Sequence, residues 1–276
     1  MQKTFQILIF CWPDSRKLTH LASPKYYSCQ PFSNAGVSKR NSLGQKSGFE
    51  MEGKGELFFE VTRIIKSKQP RAFLLENVKN LKSVSKGEVF KRVVKELEEL
   101  DYKVYDQVFD AKHWVPQTRK RVFLVGIKNE EENVNLFHFP VEPQRTIKLR
   151  DILEPDSKTE NFTLSDKAVN GLSQHANRHK TAGNGFGWSV VDPLNDNDIS
   201  KTLTAQYHKT GASGSYLKQI DKNPRKFTPR ECARLQGFPD DFKIIASKTQ
   251  AYKMFGNSVC VPLISAIAAS IVDVLK

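Results

Sequence analysis

Residues 70–78 read Pro70-Arg71-Ala72-Phe73-Leu74-Leu75-Glu76-Asn77-Val78. The apolar side chains of 72–75 run without a break, where a strand with one wet face would alternate. Such a run predicts a strand covered on both faces. Upstream, Leu57, Phe58, Val61, Ile64 and Ile65 recur at helical spacing over 55–66. Downstream, Val89, Phe90, Val93, Val94 and Leu97 place one apolar stripe on a helix over 87–100. Two more strands are predicted at 103–109 and 121–127. Helix and strand in alternation predict an open α/β sheet, in which ligands bind beyond the carboxyl ends of the strands. Glu76 and Asn77 stand where the apolar run ends.

Between about 142 and 226 the periodicity fades into Gly, Asn, Ser, Thr and His, with Gly183-Asn184-Gly185-Phe186-Gly187 as a loop signal. Only short strand-like pieces, such as 200–206, can be read there, which predicts a loop-rich insertion or second small domain. Regular structure returns at Thr228-Pro229-Arg230-Glu231, an N-cap, a proline at the first helical position and a capping-box glutamate. Gly237 is expected to end that helix. A last helix starting near Pro262 is apolar nearly all round, and so is expected to be buried.

The chain has 276 residues, 39% of them apolar or aromatic and 26% charged, which excludes a wholly disordered or collagen-like chain. Its net charge of +13 points to a polyanionic partner, nucleic acid ahead of a membrane surface. Cys11, Cys29, Cys232 and Cys260 form no CxxC pair. That pattern is neither a disulfide framework nor a zinc site and suits a reducing cytoplasm. The uncharged stretch 259–272 is too short to span a bilayer, and the apolar run 7–12 is too short for a signal-peptide core. A soluble cytoplasmic protein is expected.

Singly, the polar residues of interest are bland. A free cysteine such as Cys29 is most often a small buried hydrophobe, a glutamate at a strand end is usually solvated, and Arg119 and Arg121 read as a basic turn. Strand alternation would aim both arginines to one face. Taken in order, five blocks resemble the DNA (cytosine-5) methyltransferase family: SCQPFSNAG at 28–36, ENV at 76–78, QTRKR at 117–121, RECARLQGFPDDF at 230–242 and GNSV at 256–259. The resemblance covers nearly all of the chain after Tyr27. A basic α/β protein with an unrelated RNA or nucleotide role does not account for five ordered blocks.

The resemblance implies a Rossmann-like methyltransferase sheet with a small loop-rich target-recognition domain. It implies methyl transfer from S-adenosylmethionine to C5 of a cytosine flipped out of double-stranded DNA, as part of a restriction–modification system. Cys29 would add to C6 as a thiolate. Glu76, holding a proton near neutrality, would relieve charge at N3. Arg121 would hold the base by its O2 oxygen, and Arg119 would support the catalytic loop and a phosphate. Asn77 and Gln117, in the same blocks, join the catalytic set. Leu57, Asn257, Ser258 and Val259 match cofactor contacts. Thr202-Leu203-Thr204-Ala205 resembles the family's Thr-Leu element, so Thr202 and Leu203 are the DNA-recognition candidates.

The chain departs from the family pattern at its start. Residues 1–27 contain no glycine and a single acid, Asp14, so the Gly-rich turn and following acid of a Rossmann-like cofactor site are not supplied. Ser28 stands where the family has proline, and Tyr26-Tyr27 replaces Gly-Phe. Half a cofactor site is expected to bind S-adenosylmethionine weakly, and the sheet to lack or improvise its first strands. Residues 1–27 read as an atypical segment joined by a frameshift or truncated reading frame. Alternatively, the enzyme is split and a second chain supplies the missing motifs. The expected organisation is 1–27 atypical, 28–145 catalytic, 146–225 target recognition, and 226–276 a helix and return to the catalytic domain. The rival function is a fragment that binds DNA without methylating it. Two further features are decoys: 48–54 nearly spells a P-loop but lacks its Ser or Thr and a preceding strand, and His175 and His179, four apart, have no third metal ligand in sight.

Overall fold

A computed structural model describes residues 56–183, 187–211 and 213–276, together with the short strands β1 (Thr4–Phe5), β2 (Ile9–Cys11), β3 (Thr19–Leu21) and β4 (Tyr27–Ser28). Cys29 and its block, the stretch 48–54, the side chain of Leu57 and residues 184–186 lie outside the described residues. The chain divides into two compact units. The first comprises Met1–Phe109, Lys120–Pro140 and Ala266–Lys276, and the second comprises Asp110–Arg119 and Val141–Ser265. The expected recognition region, 146–225, falls wholly in the second unit, which also takes in the residues from 226 to 265.

The first unit is built on a sheet of β5 (Ala72–Val78), β7 (Lys120–Lys128) and β6 (Tyr102–Asp110), in the order β5-β7-β6. β5 and β7 run antiparallel, with Leu75 opposite Leu124 and Glu76 opposite Phe123. The apolar run is covered on both faces as its composition requires. Phe73, Leu75, Val122 and Leu124 share one face and join a core with Phe58, Val61 and Ile65 of helix α1 (Glu56–Lys68) and Phe90, Val93 and Leu97 of helix α2 (Glu88–Glu98). These helical residues are the periodic ones, at i, i+3 and i+7. Leu74, Phe123 and Val125, also buried, belong to the opposite face by strand alternation. There Phe109 meets Phe123 with ring centroids 5.9 Å apart. The strand does not stop at Leu75: Glu76, Asn77 and Val78 are paired members of it. β1 pairs with β4 and β2 with β3, both antiparallel, and β2 lies beside β5.

The second unit has its own core around helix α4 (Pro229–Arg234), where Cys232, Ala233 and Leu235 meet Leu149, Ile152, Leu203, Tyr207, Leu217, Phe227, Tyr252 and Phe255. The capping box forms as read: Glu231 N donates to Thr228 Oγ1 at 3.1 Å and Thr228 N donates to Glu231 Oε2 at 2.8 Å. Glu231 is fully buried and also takes a bidentate pair from Arg225, at 2.8 Å on each arm. The helix closes at Arg234, and Gly237 follows at φ +78°, its missing Cβ leaving room for Pro262.

Two expectations for the loop-rich region need correction. Residues 166–181, within the stretch expected to be loop-rich, form a sixteen-residue helix, α3 (Asp166–Thr181), capped by Ser165. Leu172 is its one buried residue, so its apolar stripe is too thin to read. Conversely, 200–206 is not a strand. Ser200 makes an isolated bridge to Gln117, and Tyr207 N turns back to Thr204 O at 2.9 Å. Among the described residues the strands of this unit are β8 (Ser189–Val191) and β9 (Ser215–Leu217), paired in parallel.

Helix α5 (Lys248–Asn257) leads into α6 (Val261–Val274). The latter buries Leu263, Ile267, Ile271 and Val274, while the small or acidic Ser265, Ala269 and Asp273 face solvent. Among the described residues no single helix is long and apolar enough to cross a membrane.

Candidate active site

The first unit holds Glu76, Asn77 and Arg121. In the β5–β7 register Arg121 lies opposite Val78. Residues two apart on a strand share a face, so Arg121 also faces Glu76 on the diagonal, within reach of a long side chain. Its Nε stands 2.9 Å from Glu76 Oε1, with the two side chains only 17% and 7% exposed. The N–H is not aimed at that oxygen, so the contact is an ion pair and Oε1 keeps its acceptor capacity. Arg121 Nη1 donates to the carbonyl of Lys120 at 2.8 Å. Asn77 points to the other face. Its Oδ1 accepts from Val78 N at 2.7 Å, while its buried Nδ2 has no hydrogen-bond partner among the described residues. Buried polar groups left open in this way are uncommon away from functional sites.

The second unit holds Gln117, Arg119, Thr202, Leu203 and the segment Asn257–Val259. Gln117 is fully buried; its Nε2 donates to Leu235 O at 2.9 Å and its Oε1 accepts from Leu203 N at 2.8 Å. Arg119, 4% exposed, donates from Nη1 to Leu203 O at 3.1 Å and from Nη2 to Ser258 O at 2.7 Å. Thr202 Oγ1 donates to Thr118 O at 2.7 Å. β7 starts at Lys120, so Arg119 precedes the strand and alternation does not tie it to Arg121. The expectation that strand alternation aims both arginines to one face gives way to a division. Arg121 pairs with a carboxylate of the first unit, and Arg119 binds main-chain carbonyls of the second. Leu203 is likewise turned inward, 3% exposed and part of the core, so its side chain has no surface to offer a base.

The cysteines described in full are poor nucleophiles. Burial pushes the Cys232 thiol well up, with the nearby Glu231 adding to the effect. Burial likewise pushes Cys260 up to about 11. Only a thiolate attacks, so neither is poised as a nucleophile.

Of the expected donor-binding set, Asn257 is half-buried and no hydrogen bond engages its carboxamide among the described residues. Val259 is half-buried beside it, and Ser258 is buried with its hydroxyl on Val259 O at 3.2 Å. A carboxamide with unused capacity beside an apolar side chain fits a ligand that carries both polar and apolar parts. Sequence reasoning missed two residues of this unit. Asp110 accepts from Arg119 N at 2.9 Å and Lys112 N at 3.3 Å, and Gly256 packs against the backbone of Thr204 and Ala205. An aspartate at a strand end and a glycine within a helix carry no local signal for either contact.

The profile of the family described as C-5 cytosine-specific DNA methylase matches residues 27–273. The Type II methyltransferase M1.ScrFI of Lactococcus lactis subsp. cremoris is 45% identical over 254 residues, which cover 91% of this chain and 61% of that protein. The Type II methyltransferase M.SsoII of Shigella sonnei is 45% identical over 252 residues, covering 90% and 63%. The chain thus spans about three fifths of the length of these two relatives. Among solved structures, the Entamoeba histolytica methyltransferase EhMeth superposes with a TM-score of 0.68 at 20% identity, covering 91% of this chain and 76% of that one. The fold is that of a methyltransferase.

Proposed function

The chain belongs to the C-5 cytosine-specific DNA methylase family, and from that premise we propose that it carries the base-activating and target-reading parts of a Type II modification methyltransferase. The observation that carries the reading is the Glu76–Arg121 pair, a carboxylate and a planar cation 2.9 Å apart at the end of a buried strand. Cytosine presents N3 and O2 side by side, and a carboxyl group next to a guanidinium matches that edge. C5 is a weak nucleophile. Cys29, as thiolate, adds to C6, and the electron pair released toward N3 and O2 is met by the proton or hydrogen bond of Glu76 and by Arg121. C5 would then take the methyl as the S–CH3 bond breaks and the sulfur leaves as a neutral thioether; a base would remove the C5 proton, and the electron pair left behind would expel Cys29 as thiolate. S-adenosylmethionine would supply that methyl as a sulfonium electrophile, and Asn257, Ser258, Val259 and Leu57 are the residues that match the family's donor contacts.

The substrate of the reading is double-stranded DNA, with the net charge of +13 supplying phosphate contacts. Base reading falls to exposed groups of the second unit, such as Lys209 and Thr210, while Thr202 and Leu203 anchor the loop that bears them. A second reading is favoured by the narrow donor set, a three-residue segment plus Leu57: the chain binds DNA but needs a further segment or chain to methylate it. Calorimetry with S-adenosylmethionine, with and without a cytosine-containing duplex, separates the two. Micromolar donor binding supports a self-sufficient enzyme. DNA binding with no donor binding supports the second reading, and binding of neither overturns both.

A further inference from the structure

Gly256 lies where helix α5 meets the 202–205 segment. An ideal Cβ built on it would sit 2.2 Å from Thr204 C, 2.3 Å from Ala205 N and 2.4 Å from Thr204 O. These are main-chain atoms, so no rotamer change can relieve the overlap. The segment they belong to cannot drift away freely, because Leu203 N–H is held by Gln117, Leu203 O by Arg119, and Thr202 Oγ1 by the carbonyl of Thr118. The other side is pinned as well: Phe255 O accepts from Gln236 Nε2 at 2.8 Å, and Ser258 O accepts from Arg119 Nη2 at 2.7 Å. One guanidinium therefore spans the two segments, and its planar fork fixes their separation in a way an ammonium does not.

We propose that Gly256 and Arg119 together form a tie that registers the Asn257–Val259 segment against the Thr202–Ala205 segment, making Gly256 a positioning residue for methyl transfer. The proposal rests on the reading of Asn257–Val259 as donor contacts. Its consequence is that the segment leading into the exposed 208–211 loop and the segment holding the donor move as one. A ligand that steadies one side then lowers the ordering cost on the other.

The test is hydrogen exchange on the full chain, comparing wild type, Gly256→Ala, Arg119→Lys and the control Gly171→Ala. Gly171 lies on α3 with nothing within 4 Å of an added Cβ. Gly256→Ala should raise amide exchange at Leu203 and at Ser258 together, by about tenfold or more, while α3 and the β5–β7 ladder keep wild-type rates. Arg119→Lys should do the same, and serves if Gly256→Ala does not fold. Gly171→Ala should change neither segment. A rise confined to one segment, or none, overturns the tie. Binding of S-adenosylmethionine is read in parallel, with a cytosine-containing duplex as the second ligand. If wild type binds the donor, Gly256→Ala should weaken it about tenfold, and unchanged donor affinity overturns the positioning role. If wild type binds no donor while the two segments still loosen together, the tie stands and the donor reading falls.

Discussion

Arg121 pairs not with Val78, its neighbour in strand register, but with Glu76 two residues along the same face. The diagonal places a cation and a carboxylate side by side at the rim of a sheet whose centre is apolar. Arg121→Ala strands a buried carboxylate and should cost about 3 kcal/mol in chemical denaturation. Arg121→Lys keeps the charge and loses the fork, so it should retain more stability yet restore little methyl transfer.

Gln117 satisfies two main-chain groups from one carboxamide, Leu203 N–H and Leu235 O. Gln117→Leu fills the space and leaves both groups buried without a partner, at about 1–3 kcal/mol each. Gln117→Glu keeps the acceptor and loses the donor. It should fall between the two, with Leu203 N–H still protected in hydrogen exchange.

Glu231 accepts both arms of Arg225 and two backbone N–H groups, from Thr228 and Glu154. Glu231→Gln leaves Arg225 buried without a counter-charge and should cost roughly 3–5 kcal/mol. Thr228→Ala removes the cap and the hydrogen bond from Thr228 Oγ1 to Glu154 Oε2 at 2.6 Å, and should cost about 1–2 kcal/mol. Equal losses from the two variants would contradict this ranking.

The buried thiol of Cys260, pushed up to about 11, sets a pH dependence. Above the ordinary thiol range the unfolded chain loses this proton while the folded chain keeps it. The folded state then binds more protons, and stability falls as pH rises. Between about pH 9 and 11 the slope from this group approaches 1.4 kcal/mol per pH unit. Cys260→Ala should make the fall of the denaturation midpoint across that window shallower, with the buried Cys232 thiol supplying part of what remains; an unchanged slope would contradict the assignment.

How far the sequence carried the reading depends on the range of the interactions involved. Helices α1, α2 and α4 and the strands β5, β6 and β7 were legible, because their periodicity, capping box and apolar runs are local. Helix α3 was not: with Leu172 as its one buried residue it lacks a stripe, and Ser165 was lost among other polar residues. The strand carries on through Glu76 and Asn77 because pairing with Phe123 and Val122 extends it past the last apolar residue. The separate places of Arg119 and Arg121, and the inward turn of Leu203, depend on partners some 80 to 140 positions away in the chain. No spacing rule reaches that far.

The most direct test of the chemistry uses a duplex carrying 5-fluorocytosine at the target position, with S-adenosylmethionine and a segment supplying the missing donor contacts if the chain alone binds none. Fluorine at C5 cannot leave as a proton does, so a Cys29 adduct that has accepted the methyl cannot collapse. The account predicts a denaturation-resistant protein–DNA complex linked through Cys29, absent from Cys29→Ser and formed much more slowly by Glu76→Gln. A complex that survives the loss of Cys29, or none when DNA and donor are both bound, would contradict it.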